Sequence, residues 1–171
     1  MSNAALSEYP GQRRRVTSAS ILVLLTFIMT TLGVCLLGAS ITELNSTDWY
    51  ASIAKPSFTP PNWLFASVWI VLYVSVGTSA WRVWRLKGLR SRAIAYWGLQ
   101  LAFNFAWPLI FFGLHSIAGA FIEIVILLLL ILRTIVAFSA IDRIAGFLLL
   151  PYFCWTAFAV ILNAATWGLN I

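Results

Sequence analysis

Histidine occurs once in the chain, as His115, and cysteine only twice, as Cys35 and Cys154. A single histidine argues against a histidine-based metal site or catalytic triad within one chain. Both cysteines fall inside apolar runs without ligand spacing, so they read as packing residues, and no metal site is expected. Charge is also scarce: 9% of the 171 residues are charged and 61% are hydrophobic, whereas a soluble domain carries about 25% charged residues. A water-soluble fold of this length has no interior large enough to hide that much apolar surface. Runs of roughly 18 or more apolar residues recur, which makes the bilayer the solvent. The formal net charge is +6, but the basic residues flank apolar runs, where they set topology, and nucleic acid is not expected as a partner. Internal repeats and low-complexity segments are missing. No cleavable signal is evident, because the apolar run after Arg13, Arg14 and Arg15 is about 24 residues long and reads as a first transmembrane helix.

What remains is an all-α integral membrane protein with a five-transmembrane-helix bundle. Residues 1–16 read as a disordered polar tail, and residues 17–171 as one membrane domain. Its helices are expected at about 17–41, 62–85, 91–113, 117–138 and 144–167, each long enough for a core of about 30 Å. Arginines precede the first helix, and Arg82, Arg85, Lys87, Arg90 and Arg92 cluster between the second and third. Arg143 lies between the fourth and fifth, while Lys55 is the only basic residue in the connections on the other side. The positive-inside rule then puts the N-terminus inside, the C-terminus outside and Lys55 on the outer face.

The stretch Lys55 to Trp69, KPSFTPPNWLFASVW, combines fixed backbone with large rings. Lys55, Pro56, Phe58, Pro60 and Pro61 read as a rigid lid leading into the second helix. Trp63 and Trp84 lie about 31 Å apart along that helix, as interfacial belts require. Trp69 lies about 9 Å below Trp63, too deep for a belt.

The third helix has two unlike faces. Gly98, Ala102 and Ala106 recur every four residues, a small-residue stripe that suits close approach of another helix, including one from a second subunit. Gln100 and Asn104 lie about 200° round from Gly98, and Trp107 joins them. Unpaired amides are costly in lipid, so this face belongs inside the bundle, as ligand contacts or as packing glue. Pro108 cannot donate to the Asn104 carbonyl. In the fourth helix, Glu123 and Arg133 are about 15 Å and 280° apart and cannot pair. Arg133 reads as snorkelling to the inner surface and Glu123 as lying near the favourable end of the helix dipole. The fifth helix aligns Tyr152, Trp155, Ala159, Leu162, Asn163 and Thr166, and Pro151 is expected to bend it. Helix arithmetic puts Trp69 and Trp107 about 9 Å, Asn104 about 14 Å and Trp155 about 18 Å below the outer side. These groups therefore meet in the outer half, under the lid, as a flat apolar ligand would need.

With these residues in view, the chain resembles the TspO/MBR family of tryptophan-rich sensory and translocator proteins, also known as peripheral-type benzodiazepine receptors. The matching pieces are Trp49-Tyr50, Lys55-Pro56-Ser57-Phe58-Thr59-Pro60-Pro61-Asn62-Trp63, Val68-Trp69 with Leu72-Tyr73, and Gln100 to Pro108 with Phe111-Phe112-Gly113. They continue with Pro151-Tyr152, Trp155, Phe158-Ala159, Leu162-Asn163 and Leu169-Asn170. The resemblance implies five membrane helices, a homodimer, and a receptor or carrier for porphyrins such as protoporphyrin IX and other tetrapyrroles. It also implies an enzyme-like alternative, light- and oxygen-dependent porphyrin breakdown, in which Trp69 and Trp155 take the catalytic positions. Tyr73, Gln100, Asn104, Trp107, Ala159 and Leu162 match wall positions, and Gly38-Ala39 is expected to add a wall from the first helix. Porphyrin would be ligand or substrate, with no further cofactor required, and Lys55 would attract a propionate. A structural or regulatory membrane partner is the third alternative. The fourth helix has Leu130 to Leu132 where many bacterial relatives carry a tryptophan. No basic residue follows Arg143, so the family's C-terminal sterol motif is absent and sterol binding is not expected.

Overall fold

The computed structural model describes residues 18–45 and 48–171, and the expected tail at residues 1–16 lies outside them. The elements are α1 (Ser18–Asn45), a short α2 (Asp48–Ser52), α3 (Asn62–Lys87), α4 (Arg92–Pro108) and a π-turn (Leu109–Gly113). They continue with α5 (Ile117–Ser139), α6 (Arg143–Leu148) and α7 (Leu150–Leu169). Among the described residues all regular structure is helical. The spans Ser18–Asn45, Arg92–Gly113, Ile117–Ser139 and Arg143–Leu169 are each long and apolar enough to cross a bilayer. Helix α3 has 26 residues, a length of about 39 Å.

Two differences from the sequence reading have clear causes. The first helix runs on to Asn45, because Thr42 and Asn45 return their side chains to the carbonyls of Gly38 and Ile41. The fifth helix is split at Leu149: Pro151 lacks an N–H for the Phe147 carbonyl, and the Leu149 amide bonds back to Gly146 instead. The same chemistry ends α4. Pro108 withdraws the bond to Asn104, and the chain widens into the π-turn, closed by Leu114 N–H to Leu109 O at 2.9 Å.

The remaining boundaries follow from caps. Ser91, Ser116 and Asp142 each accept a backbone N–H at the start of α4, α5 and α6. Helix α3 stops at Gly88, whose φ of 73° is open to glycine at little cost.

Packing is tightest around α3. At Gly77 an added Cβ would lie 2.8 Å from the Ile28 Cα, so the backbones of α1 and α3 touch there. Thr31, fully buried, donates to the Tyr73 carbonyl at 2.8 Å across the same seam. Ser75 and Ser79 donate to the carbonyls of Leu148 and Ala145 at 2.6 Å, joining α3 to α6. Val76, Ala80, Val83, Ile131, Phe138 and Leu149 fill the interior. The opposite faces carry exposed Leu22, Met29, Leu36, Val71, Leu129 and Val136. Such a surface is unfavourable in water and favourable in lipid, which is what an integral membrane protein requires.

Candidate functional site: an aromatic end under a tied loop

The stretch from Ile53 to Pro61, between α2 and α3, is ordered by its own residues. Thr59 closes a turn on the Pro56 carbonyl with both its amide (3.0 Å) and its hydroxyl (2.7 Å). Pro56 is buried, Pro60 half-buried, and Pro61 exposed at the entrance to α3. Helix α2 then presents rings to the π-turn. Trp49 packs edge-on against Phe111 at 5.4 Å and stacks on His115 at 4.5 Å, and Tyr50 packs against Phe112 at 5.4 Å. The Lys55 ammonium lies 4.3 Å from the centre of the Tyr50 ring, a cation–π contact. Burial pushes the Tyr50 phenol above its ordinary range, so it stays neutral beneath that charge.

Two contacts hold the loop to α7. Phe58 packs edge-on against Phe158 at 6.4 Å. Asn170 makes two hydrogen bonds to the backbone of one residue: its oxygen accepts from the Ala54 N–H at 3.0 Å and its nitrogen donates to the Ala54 carbonyl at 2.9 Å. Its amide nitrogen also donates to the Thr166 carbonyl at 2.7 Å.

Deeper in the bundle, α3, α4 and α7 each supply one member of a polar chain. The Tyr73 hydroxyl donates to Asn104 Oδ1, and Asn104 Nδ2 donates to the Tyr152 hydroxyl at 2.8 Å. All three residues are buried. Trp69 lies over this chain, 5.5 Å from the Tyr73 ring and 6.1 Å from the Tyr152 ring. Trp155, one turn beyond Tyr152 and half-buried, packs on Phe158 at 5.6 Å, which links it to the loop through Phe58. Trp107 stacks on Phe111 at 4.9 Å. The Asn163 amide is satisfied when its oxygen accepts from Trp107 Nε1 at 3.2 Å and its nitrogen donates to the Ile117 carbonyl at 3.2 Å.

The sequence-selected residues thus fall into groups. Trp69, Tyr73 and Asn104 meet directly; Trp107 and Asn163 form a second pair; Trp155 reaches the loop through Phe158. Ala159 and Leu162 are half-buried on α7. Gln100 is fully buried and its amide has no hydrogen-bond partner among the described residues. Ala39 is not brought to this group: it is exposed on α1, while the neighbouring Gly38 faces Pro108.

Sequence reasoning gave too little weight to three features. Tyr152 was visible as part of the α7 stripe, but its hydroxyl as the end of the Asn104 chain was not. The rings Phe111 and Phe112 carry the floor under α2; they stood among the family-like pieces, but nothing paired them with Trp49 and Tyr50. Glu123, expected near a helix end, is 5% exposed with no hydrogen-bond partner for its carboxyl among the described residues. It sits beyond the first turn of α5, out of reach of the free amides there.

A bundle with lipid-facing aliphatic surfaces, a ring-lined end and a buried amide–phenol chain is an all-helical integral membrane protein with a receptor-like interior. Residues 23–168 match the TspO/MBR family, and the chain belongs to that family. It is 42% identical over 125 residues to the protein CrtK of Rhodobacter capsulatus, covering 71% of this chain and 78% of that one. It is 34% identical over 147 residues to the tryptophan-rich protein TspO of Chlorobaculum tepidum, covering 81% and 92%. The human translocator protein is 36% identical over 140 residues, covering 80% and 83%.

Proposed function

We propose that this protein is a five-span membrane receptor or carrier for tetrapyrroles such as protoporphyrin IX, taken up under the loop at the outer end of the bundle. The fifth span is α3, and the N-terminus lies inside and the C-terminus outside. The observation that carries the reading is Trp69 over the Tyr73–Asn104–Tyr152 chain. It offers a large flat face beside groups that can exchange hydrogen bonds with a ring nitrogen or a polar edge. Trp107 and Trp155 supply further ring surface, and Lys55 at the loop supplies a positive charge for a propionate. Equilibrium titration of the protein with protoporphyrin IX, read by porphyrin fluorescence, is the test. Trp69→Ala and Trp155→Ala are each expected to weaken binding roughly tenfold, by loss of about 1–2 kcal/mol of ring contact. Unchanged affinity in both variants would sink the site.

A second reading draws on the same geometry, because Trp69 touches two phenols, Tyr73 and Tyr152. In this reading the excited porphyrin takes one electron from Trp69 or Trp155. The porphyrin radical anion hands it to dioxygen as superoxide, which is the oxidant that attacks the macrocycle. At Trp69 the indole radical cation is refilled by Tyr73 or Tyr152, which becomes a tyrosyl radical on losing its phenolic proton. Illumination of the complex in air is expected to bleach the porphyrin band faster than free porphyrin in detergent, and more slowly in Trp155→Phe. Equal rates for complex and free porphyrin would remove this reading.

Gly98 and Ala102 are exposed along α4, and a Cβ at Gly98 would meet nothing within 4 Å. We assign this face, with Ala106, to a homodimer contact. Gly98→Leu should shift the protein from dimer to monomer in detergent sedimentation, and an unshifted dimer would exclude this face.

A further inference from the structure

The one histidine of the chain, His115, stands where the bundle meets α2, in the connection from the π-turn to α5. Its backbone is fixed on both sides. Leu114 N–H donates to the Leu109 carbonyl at 2.9 Å, and Ser116 N–H donates to the Ile110 carbonyl at 3.1 Å. Between them His115 takes a φ of 52°, in the left-handed region that residues other than glycine rarely enter. The imidazole lies nearly parallel to the Trp49 indole, with 4.5 Å between centroids and 19° between planes. Trp49 also packs edge-on against buried Phe111, and Ser52 Oγ donates to the Trp49 carbonyl at 2.7 Å. The indole thus touches a buried ring on the π-turn and an exposed ring beyond it.

Histidine is the ordinary side chain whose charge changes between about pH 5 and 8. Without the extra proton, the stack is a contact of two flat rings. With it, the same geometry puts a cation on the face of an indole, well inside the roughly 6 Å over which that attraction acts. The charged and titratable groups on the surrounding elements are Glu43 at the end of α1, Asp48 and Tyr50 on α2, and Lys55 after it. Tyr50 is kept neutral by burial, and the Lys55 ammonium lies over the Tyr50 ring. Glu43, Asp48 and Lys55 are all exposed, where water and salt screen them. The indole is the group in direct contact with the imidazole.

We propose that His115 and Trp49 form a proton-operated latch: a proton on the imidazole turns the ring stack into a cation–π contact and tightens α2 on the π-turn, and loss of the proton loosens it. By linkage the closed latch and the proton favour each other, so α2 is held more firmly in acid than in alkali. The latch reports the pH of the aqueous side that bears the loop, and it does not depend on what binds beneath.

The test uses the full-length protein in lipid nanodiscs, labelled with fluorotryptophan and free of any added histidine tag. Fluorine NMR then follows the Trp49 line, assigned by its disappearance in Trp49→Phe, and reads the ratio of packed to released indole. That ratio is expected to be about two- to fivefold larger at about pH 5 than at about pH 8, the range of an exposed cation–π contact. His115→Asn suits the left-handed backbone but has no ring. Its ratio should stay at the low, alkaline level throughout. His115→Phe keeps a ring on the indole and removes the charge, so its ratio should also be independent of pH. Together the two variants guard against a misfolded connection. The double variant Glu43→Gln/Asp48→Asn should keep the pH response. A wild-type ratio that does not change with pH, or that rises towards alkali, would overturn the proposal. So would a response that persists in both His115 variants, or one that vanishes with the two carboxylates.

Discussion

Away from the loop, α3 meets α1 and α6 through small residues and hydroxyl groups: Gly77 on the Ile28 backbone, Ser75 and Ser79 on carbonyls of α6. At the loop end the contacts are between rings, Trp49 and Tyr50 on Phe111 and Phe112, Phe58 on Phe158. Backbone contact through glycine and serine leaves one solution, because nothing can rotate away. Ring-on-ring contact tolerates several separations and is weakly directional. Buried polar groups do not divide along the same line. Gln100, Glu123 and, towards the base, the Trp97 indole lack hydrogen-bond partners among the described residues, whereas Ser75, Ser79 and Asp142 are engaged at the base and Tyr73, Asn104 and Tyr152 nearer the rings. The contrast therefore rests on backbone contact at one end and ring contact at the other.

The strongest way to break this contrast is at the base. Gly77→Ala places a methyl group 2.8 Å from the Ile28 Cα and 3.0 Å from the Phe27 carbonyl oxygen. Backbone atoms cannot swing aside, so α1 and α3 must part, at a cost of about 1–3 kcal/mol. Thermal unfolding in detergent should show the loss, with protoporphyrin affinity in the surviving folded fraction near wild type. A variant as stable as wild type would mean that the seam is as adaptable as the loop end.

Next in size is Asn104→Ala. It strands the Tyr73 and Tyr152 hydroxyls inside the bundle, at about 1–3 kcal/mol. Unlike Gly77→Ala, it should also lower protoporphyrin affinity, so stability and binding fall together. Tyr152→Phe removes one hydroxyl and leaves the Asn104–Tyr73 bond in place, and its effect should be smaller, about 1 kcal/mol. If Asn104→Ala changes stability but not affinity, the amide is packing glue and the ligand does not reach it.

Much of this division was legible in the residues. Pro108 and Pro151 lack a donor, and each produces the break that chemistry demands, a π-turn in one case and a split helix in the other. Gln100 and Asn104 share a helical face and are both buried, as the cost of amides in lipid requires. Arg133 is exposed, in keeping with an arginine that snorkels. What could not be read was which particular atoms join residues distant in sequence. Asp48–Ser52 has no apolar periodicity long enough to announce a helix, and it is held by rings some 60 residues away on the π-turn. Glu123 was placed near the favourable end of its helix dipole, but it stands beyond the first turn of α5 and is buried, which depends on the packing around it. Ala39 was expected at a wall, but one step of 100° from Gly38 turns it to the outside.

The smallest expected effect is at Asn170, and it sharpens the comparison most. Its two bonds to Ala54 are made at an exposed site, 116 residues apart in the chain. Each exposed hydrogen bond contributes at most about 0.5–1.5 kcal/mol, and the rings beneath remain to hold the loop. Asn170→Ala should therefore leave the unfolding temperature nearly unchanged. If the loop opens to admit the ligand, however, the same contacts resist opening, and their loss should raise protoporphyrin association and dissociation rates together, several-fold, with little change in equilibrium affinity. Stopped-flow fluorescence separates the two rates. A change confined to dissociation would mean that Asn170 stabilises the bound state alone, and rates equal to wild type would mean that entry does not pass beneath this loop.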